Sequence, residues 1–211
     1  MRRGISKLKI ICIGIGNSGC NIIASISSQT LIRIDLIAIN TDDSEYILKN
    51  YKEIQTLFEN ADIVVICTGL GGRSGAVLSP IITRIAKELS ILTILVVTMP
   101  FNFEGKKRLQ LAKKSLKTLQ EKSNSIILIK NDNQLALIDK TLKMNEVFQL
   151  LDITIGDVIH EILSIILRDE ENDISLNIKN LQTIIYYQSK APLNLGLKQI
   201  YNSANNLKYD R

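Results

Sequence analysis

The sequence predicts an α/β fold built on a doubly wound, mostly parallel sheet with helices on both faces. Three observations predict it. Apolar runs alternate with helix-period segments from Leu8 to Leu167. The runs are rich in Ile and Val and are continuous rather than alternating, the pattern of strands covered on both faces. Glycine-rich turns follow the first and third runs, at the carboxyl edge where such sheets bind ligands.

Leu8–Ile15 reads as the first strand, followed by the loop GIGNSGCN and a helix from Gly19 to Ser28. Asp35–Asn40 is the second strand, with one helix running on through Phe58. Asp62–Cys67 is the third; GLGGRSG follows it and opens a helix to Ser90. Ile91–Val97 is the fourth, and the loop TMPFNFEGKKR leads into a helix of about fifteen residues. Ser125–Ile129 is the fifth, and helical periodicity then dominates to Leu167. RDEENDIS, residues 168–175, is charged and aperiodic and reads as a linker. Beyond it, LNIKNLQTIIYY reads as a helix leading into a strand, and YNSANNLKYDR as a frayed polar tail.

A chain of 211 residues, 45% hydrophobic and 22% charged, is long and apolar enough to bury a sizeable core. Its net charge of +5 fits a lysine-rich solvated surface. Lys106, Lys107, Arg108, Lys113, Lys114, Lys117 and Lys122 make one helix strongly basic, but no aromatic residues interleave with them. Nucleic acid is therefore not the expected partner. Cys12, Cys20 and Cys67 form no C-x-x-C pair and read as small buried residues in a reducing cytoplasm. His160 is the sole histidine, which excludes catalysis by paired histidines. No apolar run reaches the ~18 residues of a membrane span. The basic start MRRGISKLK resembles a signal peptide, yet Lys7 and Lys9 interrupt the short apolar stretch.

The candidate site residues fall at the ends of the strands. Gly14, Gly16 and Gly19 match G-x-G-x-x-G, whose amides and helix N-terminus meet phosphate oxygens. That motif alone also fits a nicotinamide-dependent oxidoreductase, with Asp42 holding a ribose hydroxyl. GLGGRSG adds a second glycine-rich turn on the same edge, and two such turns can surround a phosphate chain. No G-x-x-x-x-G-K-[ST] is present, so phosphate would be held by backbone amides rather than by a P-loop lysine. Glu104 and Arg108, one turn apart on one helix face, offer a carboxylate for ribose and a guanidinium for phosphate. Asn131 follows the fifth strand, where an amide can read a base edge.

In order along the chain, these motifs resemble the FtsZ branch of the tubulin superfamily. GIGNSGCN resembles its G-x-G-G-G-G-x-N, AINTD its V-N-T-D, and GLGGRSG its G-x-G-G-G-T-G-T-G. VVTMPFNFEGKKR is nearly its V-V-T-x-P-F-x-F-E-G-x-x-R, and ILIKNDNQL resembles I-x-I-P-N-D-x-L. FQLLD resembles the helix whose Asp pairs with guanine. The resemblance implies a Rossmann-like GTP-binding domain over residues 1–170, with GTP or GDP as ligand and Mg²⁺ accompanying GTP. Gly16, Asn17, Ser18, Gly19 and Asn21 would line the first phosphate loop; Gly71, Gly72, Arg73, Ser74 and Gly75 the second. Glu104 and Arg108 would serve ribose and phosphate, and Asn131 and Asp152 guanine.

The resemblance also implies a cytoplasmic cell-division protein that self-associates head to tail or copolymerises with a full-length FtsZ. The departures bear on turnover. Asn17 and Ser18 stand at family glycines; Arg73, Ser74, Ala76 and Val77 stand at Gly, Thr, Thr and Gly of the signature. The family's hydrolytic loop N-x-D-x-x-D has its counterpart at Ser175–Asn180, where Asn177 and Asn180 occupy the acidic positions. Losing a positioned acid/base typically costs about 10²–10⁴-fold in rate. Residues 171–211 are expected to hold that loop and a short extension, without the family's second domain. A nucleotide-binding modifier or remnant that scarcely hydrolyses GTP is the alternative.

Overall fold

The computed structural model describes residues 8–27, 34–41, 43–135, 138, 141–171 and 183–187. The sheet has six strands: β1 (Ile10–Ile15), β2 (Ile34–Ile39), β3 (Ile63–Gly69), β4 (Leu92–Met99), β5 (Ser125–Lys130) and β6 (Thr183–Tyr187). Their order is β2-β1-β3-β4-β5-β6, and every neighbouring pair is parallel. The helices are α1 (Gly16–Ser27), α2 (Ser44–Lys49), α3 (Tyr51–Leu57), α4 (Arg73–Glu88), α5 (Lys106–Gln120), α6 (Asn131–Leu135) and α7 (Met144–Glu171), with a 3₁₀ turn at Asn102–Glu104. The expected doubly wound α/β sheet is thus the observed one.

Two apolar layers sandwich the sheet. Ile11, Ile13, Val64, Ile66, Leu95 and Val97 point to one face and meet Leu78, Ile82 and Ile85 of α4. Ile10, Cys12, Ile63, Val65, Ile94 and Val96 point to the other and meet Ile22 and Ile26 of α1 and Ile155, Val158 and Ile159 of α7. Burying each such Ile or Val side chain contributes roughly 1.5–3 kcal/mol. β2 departs from the two-sided pattern. It is an edge strand whose residues are half-buried or exposed, and Leu36 is left exposed. Cys12 and Cys67 sit in the buried layer, where burial pushes the Cys12 thiol up to about 12 and Cys67 well above its ordinary value. Cys20 is half-buried.

Helix boundaries differ from expectation in three places. α1 begins at Gly16, so GNSG is the first turn of the helix rather than a loop before it. The segment ending at Phe58 is two helices, broken at Asn50, whose backbone leaves the helical region. Asn favours such breaks because its amide competes for backbone groups. α7 runs through Glu171, so the start of RDEENDIS is helical; Arg and Glu are good helix formers and no Gly or Pro stops them. Residues 172–182, including the helix expected ahead of β6, lie outside the described residues.

α4 contains Pro80. Proline has no N–H, so the carbonyl four residues earlier loses its helical partner. That carbonyl belongs to Ala76, and buried Ser115 of α5 donates to it at 3.3 Å. One hydroxyl thereby satisfies the gap and ties α5 to α4.

Candidate functional site

A cavity of about 590 Å³ opens at the carboxyl edge of the sheet. The chain order reverses beside β1, which is where open parallel sheets form ligand crevices. Two helices start there. Gly16 adopts φ +71°, which turns β1 into α1 in a single residue. α4 starts at Arg73 after β3, and its N-cap Gly72 provides no side-chain cap. The two helix starts nearly touch: a Cβ on Gly16 would lie 3.3 Å from Ser74 Cβ. First-turn N–H groups have no partner inside their own helix, and both dipoles carry their positive ends here. The arrangement suits an anion.

The other wall carries hydrogen-bonding side chains. Asn131 follows β5, is 8% exposed, and its Oδ1 has no partner among the described residues. An unpaired buried acceptor costs about 1–3 kcal/mol, so a ligand donor there is favourable. Asp152 reaches over from α7. Ser18 Oγ donates to its Oδ1 at 3.4 Å and Asn21 Nδ2 to its Oδ2 at 3.2 Å. Burial pushes its carboxyl up to about 6, and those two donors oppose the rise. Phe148 lies one turn before Asp152, in the cavity wall, with its ring edge-on to Phe101 at 5.4 Å.

Glu104 and Arg108 stand between the two walls. Glu104 Oε1 accepts from the Phe101 N–H at 2.8 Å, and Oε2 accepts from Arg108 Nη1 at 2.6 Å. The two are not on one helix, as the sequence suggested. Gly105 at φ +101° separates the 3₁₀ turn from α5. Their pairing nevertheless survives the break.

Of the sequence-derived candidates, Gly16, Asn17, Ser18, Asn21, Gly71, Gly72, Arg73, Ser74, Gly75, Glu104, Arg108, Asn131 and Asp152 all line this cavity. Gly19 does not. Its Cα packs on β3, where a Cβ would meet the Cys67 carbonyl at 2.2 Å. Asn177, Asn180 and Asp42 lie outside the described residues. The sequence reading missed Asn40, Thr98, Pro100, Phe148, Leu151 and Ile155 in the wall. Phe148 and Ile155 carry a signal that helical spacing reveals, since they flank Asp152 at −4 and +3. Asn40, Thr98 and Pro100 sat inside quoted motifs without being singled out.

Against known proteins, the sequence model for the Tubulin/FtsZ family, GTPase domain, matches residues 36–139. The cell division protein FtsZ of Aquifex aeolicus is 29% identical over 197 residues, covering 79% of this chain and 54% of that protein. FtsZ of Wigglesworthia glossinidia brevipalpis is 28% identical over 223 residues, covering 91% and 58% respectively. The chain therefore spans a little over half the length of these relatives. An empty FtsZ dimer of M. jannaschii superposes with a TM-score of 0.72 at 22% identity, covering 84% of this chain and 62% of that one, which speaks to fold alone.

Proposed function

We propose that this chain is a divergent FtsZ-like protein of the tubulin/FtsZ family and that its cavity binds GTP and GDP in an FtsZ-type role in cell division. The observation that carries the reading is the pairing, in one cavity, of uncapped helix starts with two base-edge acceptors, Asn131 Oδ1 and the Asp152 carboxylate. Guanine presents two adjacent N–H donors that a carboxylate can accept together. Adenine presents an acceptor beside its single donor group. The carboxylate keeps free lone pairs while receiving Ser18 and Asn21, so it can accept the base as well.

The remaining residues divide the ligand among them. Phe148 lays an apolar ring beside the base reader. Arg108, held by Glu104, presents its other N–H groups toward ribose and phosphate oxygens. The amides of the first turns of α1 and α4 take the phosphates. Among the described residues no group of three or more His, Cys, Asp or Glu forms a metal site. Mg²⁺ accompanying GTP would be held on the nucleotide's phosphate oxygens, as this hard cation is with substrate phosphates. Turnover is weak in this reading, because Asn177 and Asn180 cannot carry the charge that polarises water. Assembly is head to tail, with itself or with a full-length FtsZ. Among the described residues no helix is long and apolar enough to cross a membrane.

Calorimetric titration with GTP, GDP, ATP and NAD tests the site. Binding of both guanine nucleotides, with ATP and NAD at least about 100-fold weaker, is expected. Preference for NAD or ATP would overturn the reading. Sedimentation with GTP, alone and with a full-length FtsZ, tests assembly; brisk phosphate release in the pellet would refute weak turnover.

A further inference from the structure

We propose that Arg73 is the residue by which this site distinguishes a nucleoside triphosphate from a diphosphate, an inference that rests on the guanine-nucleotide reading above. Arg73 is the first residue of α4 and lies in the cavity wall. Its φ is not positive, so it meets no conformational demand that only glycine satisfies. The first-turn amides of α4 keep their helical array, and the side chain is simply added at the exposed rim. A cation at a helix N-terminus faces the positive end of the dipole, which is unfavourable on its own. An anion bound between them reverses that sign, because guanidinium and amides then act on the same oxygens.

Position decides which part of the nucleotide is involved. The base acceptor Asn131 follows β5, and Arg73 follows β3, with β4 between them. Two strand spacings put the two strand ends about 10 Å apart. The end of the ligand remote from the base is therefore the end nearest Arg73. Arg108, the other cation of the wall, enters after β4, nearer the middle. Only the triphosphate carries a further charged group beyond the diphosphate, and Arg73 is placed to receive it. The buried Asn131 Oδ1, without a partner among the described residues, is an independent indication that the same cavity holds a ligand.

The test is calorimetric titration of the 211-residue chain with GTP and with GDP, at low and high KCl, for wild type, Arg73→Gln, Arg73→Gly and Arg73→Lys, with a melting curve for each. Arg73→Gln and Arg73→Gly are expected to weaken GTP about tenfold while leaving GDP within about twofold. Arg73→Lys recovers part of the loss, and the wild-type preference for GTP shrinks with salt. Equal weakening of GTP and GDP would mean that Arg73 shapes the loop, and tighter GTP binding by Arg73→Gly that it obstructs; either overturns the assignment alone. A wild-type chain that binds neither nucleotide overturns the nucleotide reading itself, and the assignment with it.

Discussion

Asp152 offers the sharpest test of base recognition. Its carboxyl is pushed up to about 6 by burial, so it is ionised at pH 7.5 and protonated at pH 5. Only the ionised form accepts both guanine N–H donors. GTP affinity is therefore expected to be level above about pH 7 and to fall below about pH 6, approaching tenfold per pH unit. Nucleotide phosphates titrate in the same range, so Asp152→Asn serves as the subtraction. At pH 7.5 that variant turns one acceptor into a donor opposing a guanine N–H. A charge-assisted hydrogen bond is worth about 1.5–3 kcal/mol, which gives a loss of about 10–100-fold. The xanthine base presents a donor beside an acceptor, so the variant should gain affinity for XTP as it loses GTP. Titration calorimetry of both nucleotides at pH 5.5, 6.5 and 7.5 measures all three effects. GTP affinity within twofold of wild type at pH 7.5, with an unchanged pH profile, would sink the assignment. Stability changes with the opposite sense to that of a paired carboxylate. The folded-state pKa is raised from 3.8, so ionisation opposes folding, and stability declines as pH rises from about 4 to about 6 and is level above. The shift sets an upper bound of about 3 kcal/mol, and solvent reaching the half-buried carboxylate reduces it to about 1–1.5 kcal/mol. The ligand-free Asp152→Asn protein should lack that decline in a urea series.

Other consequences follow from single contacts. Ser115→Ala strands the Ala76 carbonyl and should cost about 1–3 kcal/mol by urea denaturation, yet less in a Pro80→Ala background, where the substituted residue supplies the missing N–H; equal costs would refute the bridging role. Gly75→Ala puts a Cβ 2.3 Å from the Gly69 carbonyl and 2.4 Å from Thr68 Oγ1, so the start of α4 must shift; GTP binding should fall by more than about tenfold, and an unaltered affinity would show that those amides hold no phosphate. Glu104→Ala releases the Phe101 N–H and Arg108 together, whereas Glu104→Gln keeps the first bond and loses the ion pair; nucleotide affinity should rank wild type, Gln, Ala.

Much of the fold was legible because its strands advertise themselves. Ile10–Ile15, Ile63–Gly69 and Leu92–Met99 are nearly unbroken apolar runs, and burial on both faces leaves no reason for alternation. What sequence could not supply was geometry that depends on one backbone angle or on distant partners. A positive φ at Gly16 moved the start of α1 by three residues, and another at Gly105 split a helix face in two. The contacts of Ser18 and Asn21 with Asp152 bridge 134 and 131 residues, beyond any local pattern. Asp152 was found by its resemblance to a family motif; its coupling to α1 was not.

The departures from the family pattern now sort by sterics. Gly19 and Gly75 remain glycine where a Cβ would run into backbone within 2.3 Å. Asn17, Ser18, Arg73 and Val77 replace glycine at helical residues with ordinary φ, all exposed or half-buried and the first three in the cavity wall. Backbone that must approach backbone is thus intact, and the changes are confined to positions where a side chain fits. Those in the wall are a donor to Asp152 in Ser18, a polar surface in Asn17 and a cation in Arg73. They alter the chemistry of the wall without deforming the loops that form it. The physical expectation is a site that still closes around a nucleotide but grips its two ends differently: the base end through a carboxylate already engaged by Ser18, and the phosphate end through a charge at the start of α4.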